Sequence, residues 1–445
     1  MEVVLKKSVT IVKDQDKYPN YTITDYRNIY GGIMQFDKNK SEPIHQWYPF
    51  VEGYSREFID GIIKELPYKV EQALEPFAGS GTTPLELQRK NIACYSFEVS
   101  PFMHLLATTK LETSYDSRQS VSIFEDIKKD LRGKLLPIRS LMSLPLARTY
   151  QPRKGKDKWV FDKSVMNGIL DIKYRILSID DLKYQKLLKV ALASILLEVS
   201  NVYRNGKCLS YKKDWNETTI SRRSVHEKFI SRLEDKIIPD LNTIDFSSKV
   251  DNQSICQLGD VRKLLSNVPD DSIDLVITSP PYLNTRDYTD IYLTELWVLD
   301  LVNDYSDLRD LRSNTLFSHV QIKRDLYSKL DVSRLRDVYD EISHFKEEFW
   351  NKNLLNMIEG YFGDMDSILD MLSKKMKIGR RIYFNVANSA YYGQEILVDE
   401  IIAEIAQNNG FSILEIREAR RLSPSGQQKD KIEYLRESVI VMEKL

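Results

Sequence analysis

Residues 70–99, VEQALEPFAGSGTTPLELQRKNIACYSFEV, decide how the rest of the chain is read. Residues 70–77 have the apolar clustering of a short strand, AGSGTT is a glycine-rich turn, Pro84 to Lys90 is helix-like, and 93–99 is a second strand. Strand, glycine turn, helix and strand in that order form the opening βαβ unit of a doubly wound sheet, whose usual tenant is a nucleotide-type cofactor. Gly79 and Gly81 let backbone amides approach a ligand closely at the end of the first strand. Glu98 closes the second strand about 20 residues on, where such folds place the acid that accepts ribose hydroxyls. In isolation the same residues read as a tight turn followed by an exposed carboxylate.

Downstream, strand signals return at 254–260 (SICQLGD), 272–282 (SIDLVITSPPY), 380–389, 411–421 and 437–445, with helix-like stretches at 353–377 and 395–409 between them. The last two strands follow one another without a helix, so an antiparallel pair is expected at the sheet's end. Between residues 111 and 250 no strand series is expected; long charged stretches with helical periodicity, such as Tyr184 to Asn201, replace it. The expected fold class is α/β, a doubly wound Rossmann-like sheet with an antiparallel terminal strand pair and an inserted, mainly helical domain. The expected domains are an N-terminal arm (1–44), a discontinuous sheet domain (45–110 and 251–445), the insertion (111–250) and a second, smaller excursion (303–352).

With 445 residues, 42% of them hydrophobic and 10% aromatic, the chain can bury a large core. Its 64 basic and 65 acidic side chains nearly cancel, so any nucleic-acid surface must be local. Cys94, Cys208 and Cys256 lack the paired spacing of a zinc site or disulfide framework, so no metal is expected and a reducing compartment fits. The first residues lack a signal-peptide pattern, and no apolar run approaches the roughly 20 residues that span a bilayer. A cytoplasmic location, without membrane contact, is expected.

The second informative stretch is Leu275 to Tyr282, LVITSPPY. Two successive prolines cannot sit inside a central strand, so the strand must stop there and hold Ser279, Pro280, Pro281 and Tyr282 rigidly at the sheet edge. Such an edge suits a demanding reaction. The amine of cytosine or adenine is a poor nucleophile, because its lone pair is delocalised into the ring. Hydrogen bonds from that amine to the Ser279 side chain and the Pro280 carbonyl orient it and stabilise the positive charge that develops on methylation. Tyr282 offers a flat face for a base rotated out of a duplex. The tetrapeptide alone also reads as a strand terminator followed by a packed tyrosine.

EPFAGSGT, FEVSP and TSPPY together resemble the cofactor, ribose and catalytic motifs of the amino-methylating DNA methyltransferases (cytosine-N4 and adenine-N6 type). The similarity covers both sheet segments, roughly half the chain. It implies S-adenosylmethionine as cofactor, held by Phe77, Ala78, Gly79, Ser80, Gly81, Thr82, Glu98 and Val99, and a catalytic Ser279-Pro280-Pro281-Tyr282. HQWYPFVEGYSREF, His45 to Phe58, resembles the segment that closes over the methionine end of the cofactor. It offers His45, Trp47 and Tyr54 as pocket residues, or a hydrophobic staple leading into a helix that starts near Ser55, Glu57 and Phe58. Gly259-Asp260 matches the position whose acid contacts the cofactor's adenine amine; as a lone pair of residues it is a turn signal. A leading serine in the catalytic motif is associated mainly with cytosine N4, and adenine N6 stays open.

Two basic clusters with interleaved aromatics lie in the insertion: Arg132 to Trp159, including Arg148, Arg153 and Lys154, and Arg204 to Arg223, including Lys207, Lys212, Lys213 and Arg222. Such clusters neutralise phosphates and supply stacking or wedge residues, with double-stranded DNA as the implied partner; equally, they read as solvated faces of a helical domain. The expected activity is therefore site-specific DNA methylation of the restriction-modification kind, with base flipping. No cysteine follows a proline, which disfavours ring-carbon methylation through a covalent adduct. The rivals are an RNA methyltransferase of the transfer-RNA guanine-amine type and a silent cofactor-binding recognition subunit. With no nuclease motif in the chain, a restriction endonuclease partner would be a separate protein.

Overall fold

The computed structural model describes residues 18–50, 52–135, 157–205, 209–217, 219–244, 253–283, 287–322, 324–325 and 329–445. Its centre is an eight-stranded mixed sheet. In chain order the strands of the molecule are β1 (Ile23–Asp25), β2 (Gln72–Glu75), β3 (Ala93–Glu98), β4 (Val202–Arg204), β5 (Leu209–Tyr211), β6 (Ile255–Leu258), β7 (Ile273–Thr278), β8 (Met376–Ala387), β9 (Ser389–Tyr391), β10 (Gln394–Ile396), β11 (Phe411–Leu422) and β12 (Leu435–Lys444). Across the sheet they run β1-β11-β12-β8-β7-β2-β3-β6. The strands from β6 to β8 are parallel to their neighbours, and β12 is antiparallel to both β8 and β11. This is a doubly wound, Rossmann-like sheet with an antiparallel terminal pair.

Every residue of β7 is buried, as a central parallel strand covered on both faces requires. Alternation divides the central strands between two cores. Leu74, Val276 and Phe384 face the helices Leu354–Lys375 and Val398–Asn408, whereas Ala73, Leu275 and Ile277 face Phe58, Ile59 and Ile62 of the helix Arg56–Glu65. The chain reverses its direction of sheet building at β2, which lies between β3 and β7. Ligands of such sheets bind in the crevice beyond the carboxyl ends of the strands at that switch point. The glycine turn follows β2 and the Ser-Pro-Pro-Tyr turn follows β7, so both border the crevice.

The stretch between β3 and β6 is built mainly on the helices Ser117–Arg132, Lys163–Leu177, Leu182–Val199 and Arg222–Arg232. Their shared core extends without a break into Phe102 and Leu106 of the helix Pro101–Leu111 and into Trp47, Tyr48 and Phe50. The insertion thus packs onto the sheet layer through one continuous apolar cluster.

Three details lie beyond the expected pattern. The mainly helical insertion also contains a short antiparallel hairpin, β4–β5. Within the expected N-terminal arm, three residues join the sheet: β1 pairs parallel with β11, Ile23 opposite Ile416. Strands of three residues are too short to show a period, so both escaped the pattern. The helix Arg56–Glu65 does begin after Ser55, but the Ser55 hydroxyl donates to the Ile33 carbonyl, and Asn39 Oδ1 accepts from the Arg56 N–H at 3.0 Å instead. A buried asparagine from another segment caps this helix.

Candidate active site

The glycine turn is organised from beneath by Glu75. Its Oε1 accepts from the Phe77 N–H at 3.0 Å and from the Thr278 hydroxyl, and its Oε2 accepts from Thr83 and Tyr54 hydroxyls, each at 3.0 Å. Burial pushes its carboxyl up to about 7. One side chain therefore links the glycine turn, the first turn of the helix Thr82–Arg89 and the end of β7.

Gly79 (φ +51) and Gly81 (φ +79) are left-handed, and a Cβ on Gly81 would lie 2.9 Å from Ala107 Cα. The turn therefore needs glycine for its path and for its close approach to the next helix. Ala78, Ser80 and Thr82 are buried, with Phe77 less so, and the Ala78 N–H donates to the Phe97 carbonyl at 2.9 Å. Glu98 ends β3 beside this turn. Its Oε2 accepts from the Gly79 N–H at 2.8 Å and its Oε1 from the Ser100 N–H at 2.7 Å. The Val99 N–H is a third backbone donor to this carboxyl, and burial raises it to about 7.

Val99, Pro101, Leu258, Gly259, Asp260 and Leu264 help to line a cavity of about 350 Å³ at the ends of β3 and β6. Asp260 caps the short helix Val261–Leu264, and its two oxygens hold Arg262 Nε and Nη2 at 2.8 and 2.7 Å. Arg262 continues to the fully buried Asp364 at 2.6 Å.

Across the switch point, Ser279 and Tyr282 are partly exposed and Pro280 is buried. Tyr282 Oη donates to Glu437 Oε1 at 2.7 Å and accepts from Asn385 Nδ2 at 2.6 Å. Ser279 Oγ lies 3.4 Å from both Tyr282 Oη and Asn385 Nδ2. Asn385 and Glu437 were not anticipated as site residues. The only signal for them in the sequence is a polar residue within or beside a strand's apolar run.

The segment upstream of the glycine turn supports the site from behind. Tyr54 is buried and directs its hydroxyl to Glu75 and Thr83, so it braces the turn. His45 and Trp47 are fully buried, His45 against Glu86 at 2.8 Å and Trp47 against Asp240 at 2.8 Å. Burial lowers His45 to about 4. Both join the segment to its surroundings: His45 Nε2 and Trp47 Nε1 each meet a buried carboxylate, while His45 Nδ1 has no partner among the described residues.

The basic residues separate. Arg148, Arg153, Lys154 and Lys207 lie outside the described residues. Arg204 is an interior ion-pair residue: it meets the buried Glu295 at 2.5 Å and stacks 4.3 Å from the Tyr292 ring. Lys212 Nζ donates to the carbonyls of Leu197, Glu198 and Ser200 at the end of the helix Leu182–Val199. Arg222 forks onto Asp171, and Arg223 donates to the Leu131 and Gly133 carbonyls. Of the described basic residues in these clusters, Lys213 is exposed in the second, and Arg132, Lys134 and Lys158 in the first. For Arg204, Lys212, Arg222 and Arg223 the positive charge is engaged in internal bonding, which linear spacing does not reveal.

Among the described residues, no group of three or more His, Cys, Asp or Glu is placed to hold a metal, and no helix is long and apolar enough to cross a membrane. No protein-family model matches the chain. The chain is 27% identical over 93% of its length to the Type II methyltransferase M.BsoBI of Geobacillus stearothermophilus, covering 88% of that protein. It is 25% identical to the Type II methyltransferase M.AvaI of Anabaena variabilis (86% of this chain, 82% of the relative) and 24% identical to the Type II methyltransferase M.MvaI of Kocuria varians (85% and 84%). Among solved structures, the rRNA methyltransferase aviRa from Streptomyces viridochromogenes is 10% identical over 90% of this chain and 84% of that chain, with a TM-score of 0.26. Over most of its length, then, the chain is similar to proteins named Type II methyltransferases.

Proposed function

We propose that the protein methylates an exocyclic amine of a base in double-stranded DNA, with N4 of cytosine favoured over N6 of adenine. The observation that carries this reading is the meeting of two motifs at one crevice. The glycine turn after β2 and the Ser-Pro-Pro-Tyr turn after β7 flank the switch point, and Glu75 bonds to the first turn at Phe77 and to Thr278, the β7 residue that precedes the second. The names of the relatives, Type II methyltransferases, point to the same reaction class.

S-adenosylmethionine fits the residues present. Glu98 keeps a lone-pair position beyond its backbone donors for a ribose hydroxyl. The adjoining cavity, with Val99 and Asp260 in its wall, suits the adenine ring, and the left-handed glycines bring backbone close to the remainder. When bound, it supplies an activated methyl group. Ser279 Oγ and the Pro280 carbonyl then accept hydrogen bonds from the target amine and orient its lone pair, and the Tyr282 ring stacks on the base. Cys94 and Cys256 are buried, with thiols pushed well above their ordinary range, Cys256 up to about 12. Thiols held in that state favour direct transfer over a covalent cysteine adduct. Lys213 and the clusters around Arg148 and Lys207 are the candidates for phosphate contact, and a restriction endonuclease partner would be a separate chain.

Incubation with tritiated S-adenosylmethionine and duplex DNA or transfer RNA, followed by nucleoside mass spectrometry, tests the reading. N4-methylcytosine in DNA is expected. N6-methyladenine would transfer the assignment to adenine, and product in RNA alone would refute DNA as substrate. Ser279→Ala and Tyr282→Ala are expected to lose most turnover while still binding S-adenosylmethionine; loss of that binding in a folded variant would refute the pocket assignment.

A further inference from the structure

The turn that carries Ser279 is wired to a buried carboxylate which the roles above leave unused. Tyr282 Oη receives Asn385 Nδ2 at 2.6 Å and Ser279 Oγ at 3.4 Å, so its own proton has one direction left, towards Glu437 Oε1 at 2.7 Å. Glu437 is 2% exposed. Its second oxygen, Oε2, is occupied by Arg420 Nε at 2.6 Å and Nη2 at 2.5 Å. The charged and titratable groups facing it are Arg420 from β11 and Tyr282 from the catalytic turn, with the neutral Asn385 from β8. Anchoring a tyrosine ring needs only a neutral acceptor, which carries far less desolvation cost than a carboxylate.

We propose that Ser279, Tyr282 and Glu437 form a proton path that removes the proton the target amine must lose, with Glu437 as terminal acceptor. This rests on the proposed function and deepens it. As the amine nitrogen bonds to the methyl carbon, the carbon–sulfur bond breaks and its electron pair stays on sulfur. The nitrogen then carries the positive charge and one proton in excess. That proton passes to Ser279 Oγ, the serine proton to Tyr282 Oη, and the tyrosine proton to Glu437 Oε1. A neutral methylated amine and a neutral carboxyl remain, and the latter returns its proton to solvent before the next turnover. An aromatic amine with a fourth substituent is a far stronger acid than a carboxyl group, so the transfer runs downhill. Arg420 binds the oxygen the path does not use, leaving Oε1 to receive the proton, and Asn385 sets the direction of the tyrosine hydroxyl.

Two variants separate the path from simple anchoring. Glu437→Gln keeps an acceptor for Tyr282 and removes the base; Tyr282→Phe keeps the ring and breaks the chain. Single-turnover methylation of duplex DNA is expected to fall about 100-fold in each, while affinities for S-adenosylmethionine by calorimetry and for DNA by filter binding stay within about threefold. A variant with the wild-type rate overturns the path, and so does a rate loss matched by an equal loss of DNA affinity, which marks a role in holding the ring. If Glu437→Gln does not fold, Tyr282→Phe decides by the same criteria. A wild-type protein that methylates no base amine overturns the proposed function and the path together; variants that match an active wild type overturn the path alone.

Discussion

Replacing Gly81 by alanine tests whether the glycine turn is constrained by its backbone. Gly81 has φ +79, and an added Cβ would meet Ala107 Cα at 2.9 Å and Ala107 Cβ at 3.0 Å. The left-handed conformation costs an L-residue about 1–2 kcal/mol. Forcing a methyl into a filled space against helix backbone costs about 1–3 kcal/mol more, because the neighbour cannot swing away as a flexible side chain does. Gly81→Ala is therefore expected to lose about 2–5 kcal/mol, a large share of the 5–15 kcal/mol that ordinarily holds a domain folded. Gly61 is the matched control. It lies inside the helix Arg56–Glu65 with nothing within 4 Å of its added Cβ, so Gly61→Ala is expected to gain about 0.5–1 kcal/mol from helix propensity. Urea unfolding followed by far-ultraviolet circular dichroism measures both, and calorimetric titration with S-adenosylmethionine reports the turn. A Gly81→Ala protein within about 0.5 kcal/mol of wild type, binding the cofactor normally, would refute the claim that the turn requires glycine there.

Arg204→Ala is expected to lose about 3–5 kcal/mol of stability by leaving Glu295 buried and unpaired, with DNA affinity of the folded protein unchanged; a stable variant with weakened DNA binding would return Arg204 to the nucleic-acid interface. Glu75 yields a pH test. Its folded carboxyl titrates at about 7 against 4.5 when unfolded, so between those values only the unfolded form ionises, and the contribution of Glu75 to stability falls as pH rises through that window. The full effect is about 3 kcal/mol, and Glu75→Gln removes it. Urea unfolding at pH 5 and pH 8 is expected to show a smaller loss, or a larger gain, on going to pH 8 for the variant than for the wild type; equal changes would show that Glu75 is not held protonated.

Much of the sheet was legible because its signals are local. Glycines at 79 and 81 announce a turn by their conformational freedom, Pro280 and Pro281 end a strand by their missing N–H groups, and apolar runs such as Leu275 to Ile277 mark a strand covered on both faces. The helical insertion was visible for the same reason, through the period of stretches such as Leu182–Val199. Roles that depend on distant partners were not. Arg204 and Lys212 look like phosphate ligands in a basic run, yet one neutralises Glu295 and the other terminates a helix. Tyr54 reads as a pocket residue, and its bracing of Glu75 is visible only in the fold.

What the sequence determined by itself is the order of elements and the two turns, since backbone stereochemistry and side-chain period act over a few residues. Tertiary structure alone decided which charges are spent inside the protein, where β1 pairs, and that Asn385 and Glu437, from strands far along the chain, close on Tyr282. Those outcomes follow from sheet order and register, which bring side chains a hundred or more residues apart within hydrogen-bond reach and leave no trace in either segment read singly.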